Sequence, residues 1–252
     1  MKSLTLVFFF LLSVSVFGQQ NLFNVPSSDI TPKAKPFFQQ QFTIEADVVQ
    51  LNSTFSFGLG KNMEVGVNLV GANVNTTSAG GLIQTNTNSG NNPVFPFYLV
   101  NFQKAVNLSD RHKLALGTQT GFSQGGHFGS YDYLNLISLI PKYKSKIITG
   151  IYYGTNTFLG PESRFPLISG NTRLGLQVGL EQPIIEDKLL FIAENISGLH
   201  NLGETTLGGA YYLNQHWVLS AGFQFSNPGS KTPEAVIIEF TYVPFSSESA
   251  RK

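Results

Sequence analysis

The sequence predicts an all-β fold: an antiparallel up-and-down transmembrane β-barrel of about 12 strands, following a cleaved signal peptide. Three observations predict it. After residue 41, apolar and polar residues alternate with period two over most of the chain, the spacing of a strand and not of a helix. The connections alternate between short and long, as the two sides of a membrane barrel require. Only 12% of residues are charged, against about 25% in an ordinary soluble domain, so much of the surface needs a solvent other than water.

The N-terminus sets the compartment. Lys2 precedes an apolar run from Leu4 to Val16, and Val16-Phe17-Gly18 places small residues at positions −3 and −1 of a cleavage site. The run is shorter than the ~20 residues of a spanning helix, so 1–18 reads as a signal peptide. Residues 19–40 are polar and carry Pro26, Pro32 and Pro36, a flexible lead-in. The barrel is expected over 41–245, with a C-terminal tail at 246–252.

Within the barrel, Met63, Val65, Val67 and Leu69 alternate with Glu64, Gly66 and Asn68. The stretches 113–122, 173–181 and 217–226 behave alike. Short connections fall at 60–62, 107–111, 143–146, 184–187 and 214–216, and longer ones at 71–93, 124–130, 158–171, 197–202 and 227–233. An even strand count requires two strands in 41–60. Leu51-Asn52-Ser53-Thr54 is the expected reversal, between strands near 41–50 and 54–60. Loop 71–93 is rich in Asn, Thr, Gly and Ser, with Leu82-Ile83 its only apolar pair. It is expected to be a polar external loop, the alternative being a constriction of the mouth.

The apolar face faces lipid. Gly66, Gly117, Gly121, Gly175, Gly179, Gly208 and Gly222 share the polar face, where glycine suits a crowded concave interior. Girdles of aromatics are expected at both interfaces. Tyr143, Tyr211, Trp217, Tyr242 and Phe245 mark one, and Phe97, Tyr98, Phe122, Phe128, Tyr131, Phe158 and Phe225 mark the other. Strands near 94–106 and 131–157 are apolar on both faces. If Asn101, Gln103 and Asn135 point inward, parity carries Phe95, Phe97, Tyr131 and Tyr133 inward too. They would adjoin a polar part built from Glu45, Asp47, Arg173, Gln177, Glu181 and Glu239. These ten residues are the lumen-lining candidates. The plainer alternative is that side chains simply fill a narrow interior.

Two stretches, FSFGLGKNMEVGVNL (Phe55–Leu69) and TTLGGAYYLNQHWVLSAGFQFS (Thr205–Ser226), resemble outer-membrane proteins of the meta-pathway phenol-degradation transporter type. That resemblance implies a twelve-stranded barrel taking up hydrophobic or aromatic compounds, and supplies no catalytic or binding residues. One departure is that Tyr242 and Phe245 are followed by seven further residues, so a terminal aromatic insertion signal would be internal.

Little in the sequence points to catalysis. His127 with Ser123, Ser130 and Asp132 is the one grouping of triad type, and His112, His127, His200 and His216 all fall in turns or loops, where solvated side chains are expected. No metal site and no cofactor are expected, and without Lys2 the fifteen basic residues balance the fifteen acidic ones, leaving no nucleic-acid surface. The expected function is passive transport of small hydrophobic or aromatic molecules across the bacterial outer membrane, with both termini periplasmic. The expected partners are outer-membrane lipid, the small solute and the barrel-insertion machinery. The alternatives are a closed barrel binding partners through its external loops, and a loop-located lipid hydrolase.

Overall fold

The computed structural model describes residues 21–77, 81–160 and 173–244, so the expected signal peptide, Phe245 and the 246–252 tail lie outside the described residues. Thirteen strands follow in order: β1 (Pro36–Ile44), β2 (Val48–Gly60), β3 (Met63–Asn75), β4 (Ile83–Gln84), β5 (Phe97–Asn107), β6 (His112–Ser123), β7 (Phe128–Ile140), β8 (Ser145–Gly154), β9 (Leu174–Ile185), β10 (Leu189–Ile196), β11 (Glu204–Tyr212), β12 (Trp217–Ser226) and β13 (Ala235–Tyr242). One helical turn, α1 (Asn156–Leu159), follows β8. All strands but the two-residue β4 form a closed antiparallel barrel, in which each strand pairs with its sequence neighbours and β13 returns to β1. Closure leaves no unpaired edge, which is what a β-protein in lipid requires.

The period-two pattern becomes the two faces of this wall. Leu116, Leu134, Ile151 and Leu176 lie side by side across β6 to β9. The first three are 61%, 37% and 46% exposed, although a water-facing sheet would hide such residues. Val67, Val100, Val178, Phe223 and Phe240 continue the exposed apolar band around the barrel. The opposite parity points inward, where Tyr133, Ile148, Tyr152, Ile192 and Ile237 form the core. Inward glycines make room for it: a Cβ on Gly117 would stand 2.2 Å from the Tyr133 ring, and one on Gly175 2.1 Å from the Tyr152 ring.

The barrel has unlike ends. At the turn end, β2–β3, β5–β6, β7–β8, β9–β10 and β11–β12 are joined by tight connections, and β1 begins and β13 finishes there. Lys61 and Asn62, both at positive φ (51° and 55°), make the first of these turns, the hairpin geometry that matches strand twist. The loop end carries the connection after β3, with β4 in it, and that after β8, with α1.

The structure moves two expected boundaries, and the first is the start of the barrel, since β1 opens at Pro36 within the expected lead-in. The first two strands are divided at Glu45–Asp47, where Glu45 N–H donates to Val48 O (2.9 Å), and not at Leu51–Thr54. The irregularity at Leu51–Ser53 is a register shift inside the β2–β3 pairing, a bulge that breaks alternation without reversing the chain. Two connections of the loop end are therefore short, Glu45–Asp47 and Gln124–His127, so the short-long contrast is weaker than expected.

Candidate functional site

The lead-in does not behave as a loose segment over its described part. From Asn21 to Pro32 it runs inside the barrel, burying Leu22, Phe23 and Val25 almost completely, and Lys33 to Lys35 are exposed where the segment leaves at the turn end. The wall holds it by side chains reaching its backbone. Glu194 of β10 accepts the N–H groups of Phe23 (3.1 Å), Asn24 (2.8 Å) and Val25 (3.0 Å). Successive amides converging on one carboxylate form an anion nest, here with the anion supplied by the wall. Asn135 of β7 donates to Pro26 O (3.0 Å), Gln103 of β5 donates to Asp29 O (3.0 Å), and Glu64 of β3 accepts Thr31 N–H (2.8 Å). The Lys146 ammonium lies 2.6 Å from Asp29 Oδ2 and 2.7 Å from Glu181 Oε1. Glycines again provide clearance. A Cβ on Gly179 would meet Leu22 Cδ1 at 2.2 Å, and Cβ atoms on Gly208 and Gly222 would meet Phe23 Cζ at 2.7 and 2.8 Å.

Above this segment the lumen opens into a cavity of about 390 Å³. Its floor is Asn21, Phe23 and Asn24, and its rim at the loop end includes Glu45, Asn73, Lys231 and Pro233. One wall is aromatic: Phe97 packs on Phe158 (ring centroids 5.2 Å apart), and Phe158 reaches Tyr131 (6.2 Å). The other is polar. Asn24 Nδ2 donates to Glu204, while Gln41 Nε2 donates to Glu239 Oε1 (3.0 Å) and lies 3.4 Å from Asn24 Oδ1. Glu204, Asn24, Gln41 and Glu239 thus form one hydrogen-bonded chain across the cavity floor. Burial raises the Glu45 carboxyl above the usual carboxylate range.

The ten lumen candidates separate on this geometry. Glu45, Phe95, Phe97, Tyr131 and Glu239 line the cavity. Tyr133, Gln177 and Glu181 are buried nearer the packed segment, where Tyr131 OH donates to Gln177 Oε1 (2.7 Å), Tyr133 OH donates to Gln103 and Glu181 meets Lys146. Asp47 and Arg173 are exposed and line nothing. Asp47 belongs to the β1–β2 turn, and Arg173 precedes β9, with its guanidinium 3.5 Å from the outward Tyr153 hydroxyl; neither is subject to strand parity. Phe97, Tyr131 and Phe158 point into the lumen instead of joining the girdle, where Tyr98, Phe122 and Phe128 stand exposed. The 71–93 loop reaches the mouth through its last residue, Pro93, and through Val94 and Phe95 just beyond it.

Sequence reasoning missed Glu64, Lys146, Glu194 and Glu204. Glu194 had a readable signal, a lone carboxylate at the inward parity of Leu190, Ile192 and Ile196. Lys146 was assigned to a turn that in fact ends at Lys144.

His200, expected in a solvated loop, is fully buried. Its Nδ1 accepts Leu202 N–H (3.1 Å), its Nε2 meets the Tyr152 hydroxyl, and its carbonyl accepts Ser230 Oγ (2.9 Å) and Thr232 Oγ1 (3.1 Å). Burial lowers its pKa to about 4, so at neutral pH it is an uncharged clasp between two loops. The grouping around His127 is not arranged as a triad: the backbone N–H of His127, and not its ring, meets Ser123 Oγ (3.2 Å). The His127 ring Nε2 faces Thr87 O (2.9 Å), while Asp132 accepts Thr118 Oγ1 (2.5 Å) and Ser130 Oγ (3.2 Å).

No family model and no curated protein matches the sequence. Among solved structures the NanC porin aligns over 84% of this chain and 100% of its own, with a TM-score of 0.54 at 11% identity. That likeness is one of fold. An alignment with OmpT, an outer membrane protein of Vibrio cholerae, covers 82% of this chain and 98% of that one at 9% identity, with a TM-score of 0.32.

Proposed function

We propose that this chain is a bacterial outer-membrane barrel passing small molecules passively, and that its path is shut at the turn end until the N-terminal segment shifts. The observation that carries this reading is the division of the lumen. A cavity reaches the loop end, and its floor is a chain segment attached largely by hydrogen bonds to side chains, not a part of the barrel wall. Such bonds contribute about 1–3 kcal/mol each and can be exchanged for water one at a time, whereas opening a wall strand breaks a whole ladder. The exposed apolar band places the barrel in a bilayer, and the porin-like fold of a structural neighbour supports a passage without energy coupling. Short turns of such barrels face the periplasm, which supports a periplasmic side for the start of β1 and the end of β13. The aromatic wall of Phe97, Tyr131 and Phe158 favours solutes with an apolar body. This agrees with the transporter type that the Phe55–Leu69 and Thr205–Ser226 stretches resemble.

The test uses the absence of cysteine from the chain. Leu22→Cys with Gly179→Cys places two thiols where the Leu22 side chain now meets the wall: a Cβ on residue 179 would lie 3.5 Å from Leu22 Cγ, the place a sulfur on residue 22 would take. Reconstituted in vesicles, the oxidised protein is expected to block flux of small aromatic solutes and the reduced protein to restore it. Deletion of 21–33 is expected to leave the path permanently open. Equal flux in the oxidised and reduced forms would mean that the segment is no gate. No flux in the reduced form, with flux after deletion, would favour the second reading, a closed barrel acting through its loops.

A further inference from the structure

Among the described residues lining the cavity at the loop end, three buried acceptors lack a donor, against one buried donor, Gln39 Nε2, without an acceptor. Glu204 lines the cavity and is 1% exposed; one of its oxygens takes the Asn24 amide, and Oε2 has no donor among the described residues. Asn73 Oδ1 and Asn201 Oδ1, on residues lining the same space, likewise lack a donor among the described residues. A buried acceptor without a donor costs free energy that a ligand with N–H groups would recover. The electrostatics run in the same direction. Glu45, Glu204 and Glu239 all line the cavity, and Lys231 at its rim is the only basic residue among the described residues that line it. Glu194, just below, already has its carboxylate filled by the backbone amides of residues 23–25. Among the described residues no three acidic or imidazole groups converge to hold a metal ion, so the donor set suits a larger, softer cation. The rings of Phe97, Phe158 and Tyr131 stand in the same cavity, and aromatic faces attract ammonium groups and cover apolar carbon alike.

We infer that the cavity is a binding site for a small organic ammonium. Its N–H groups meet Glu204 and Glu239, and its aryl or alkyl body packs against the Phe97–Phe158–Tyr131 wall. This names a solute class for the proposed passage and rests on that reading for how the ligand arrives, but binding itself needs only the cavity.

Three probes of one shape separate the chemistry: phenethylammonium, phenethyl alcohol and phenylacetate. Titrated by calorimetry into the refolded barrel in detergent, the ammonium is expected to bind at least about tenfold more tightly than the alcohol, and phenylacetate least. Glu204→Gln keeps an acceptor for Asn24 while removing the charge, and is expected to weaken ammonium binding about tenfold with alcohol binding unchanged. Glu239→Gln is expected to act in the same direction. Equal affinity for the three probes on the unaltered barrel overturns the inference, whether or not the variants fold; so does an unchanged ammonium affinity in a folded Glu204→Gln barrel. The oxidised Leu22→Cys/Gly179→Cys barrel is expected to bind the ammonium normally, because the cavity lies above the fastened segment. Selective binding without flux in any form would sink the transport reading and leave the site standing. Flux without preference for the ammonium would do the reverse.

Discussion

The turn-end and loop-end halves of the lumen are walled by the same strands, yet they solve the problem of a barrel interior differently. Near the turn end, Leu22, Phe23 and Val25 fill the space, and Glu64, Gln103, Asn135, Lys146 and Glu194 each meet a group of the inserted segment. Near the loop end the described residues leave a cavity, and acceptors on Asn73, Asn201 and Glu204 remain without donors among the described residues. A twelve-stranded wall encloses more space than its own side chains fill; the surplus is taken up by chain at one end and kept as a cavity at the other. The comparison teaches that the polar residues of one face need not share a role. Some of them anchor protein and others are available to a ligand.

The largest expected effect tests the packed half. Lys146→Met would leave Asp29 and Glu181 buried without their cation, where losing one partner of a buried pair costs about 3–5 kcal/mol. The loss should appear as protease cleavage within residues 21–32 while the barrel band still resists boiling-dependent unfolding. If the segment stays protected, the ion pair does not fasten it.

Acid should act on the other half. His200 is held neutral by burial, with a pKa of about 4 against an ordinary value near 6.5. Its contribution is therefore complete above about pH 6.5 and is lost as pH falls through about 4, because the opened loop takes the proton first. The span corresponds to about 3 kcal/mol of local stability. Protection of the Asn201 and Gly203 amides from hydrogen exchange, taken relative to an unstructured amide at the same pH, should fall as pH drops over that range, and His200→Phe should abolish the change. Protection that stays constant between pH 6.5 and 4 would show that the clasp does not control the rim.

A smaller effect is expected from Gly179→Val, whose Cβ would meet Leu22 Cδ1 at 2.2 Å and the wall no closer than Ile148 Cβ at 3.6 Å. Overpacking of this kind costs about 1–3 kcal/mol and should loosen the segment, raising solute flux without unfolding the wall. Asn73→Ala should be the mildest. Its side chain borders open cavity and its Oδ1 has no donor among the described residues, so a stability change within about 0.5 kcal/mol in urea titration is expected. A loss as large as that of Gly179→Val would erase the distinction between the halves.

Most of the wall was legible because a barrel strand has two unlike solvents. Leu114, Leu116 and Phe122 alternate with Ala115, Gly117 and Gly121, and the outer face of that strand follows directly. The first reversal was placed wrongly because a bulge and a turn both interrupt alternation, and only the partner strand distinguishes them. Of the site, Tyr131 and Glu239 could be found by parity because each lies well inside a strand, and Phe97 because it opens β5 on the same parity as Leu99 and Asn101. Asp47 and Arg173 could not be placed that way, since parity has no meaning beyond a strand end. The segment from Asn21 to Lys35 looked like a linker because its prolines and serines are turn formers, although Leu22, Phe23 and Val25 were apolar residues with no stated place to go.

By itself, then, the sequence determined an antiparallel barrel, its outward face and its strand number, because period-two alternation and turn chemistry act between near neighbours. Only the tertiary structure decided what occupies the interior. The contacts that decide it join residues such as Phe23 and Glu194, 171 positions apart, and no local pattern records that a carboxylate on one strand and the amides of a distant segment will meet inside the closed wall.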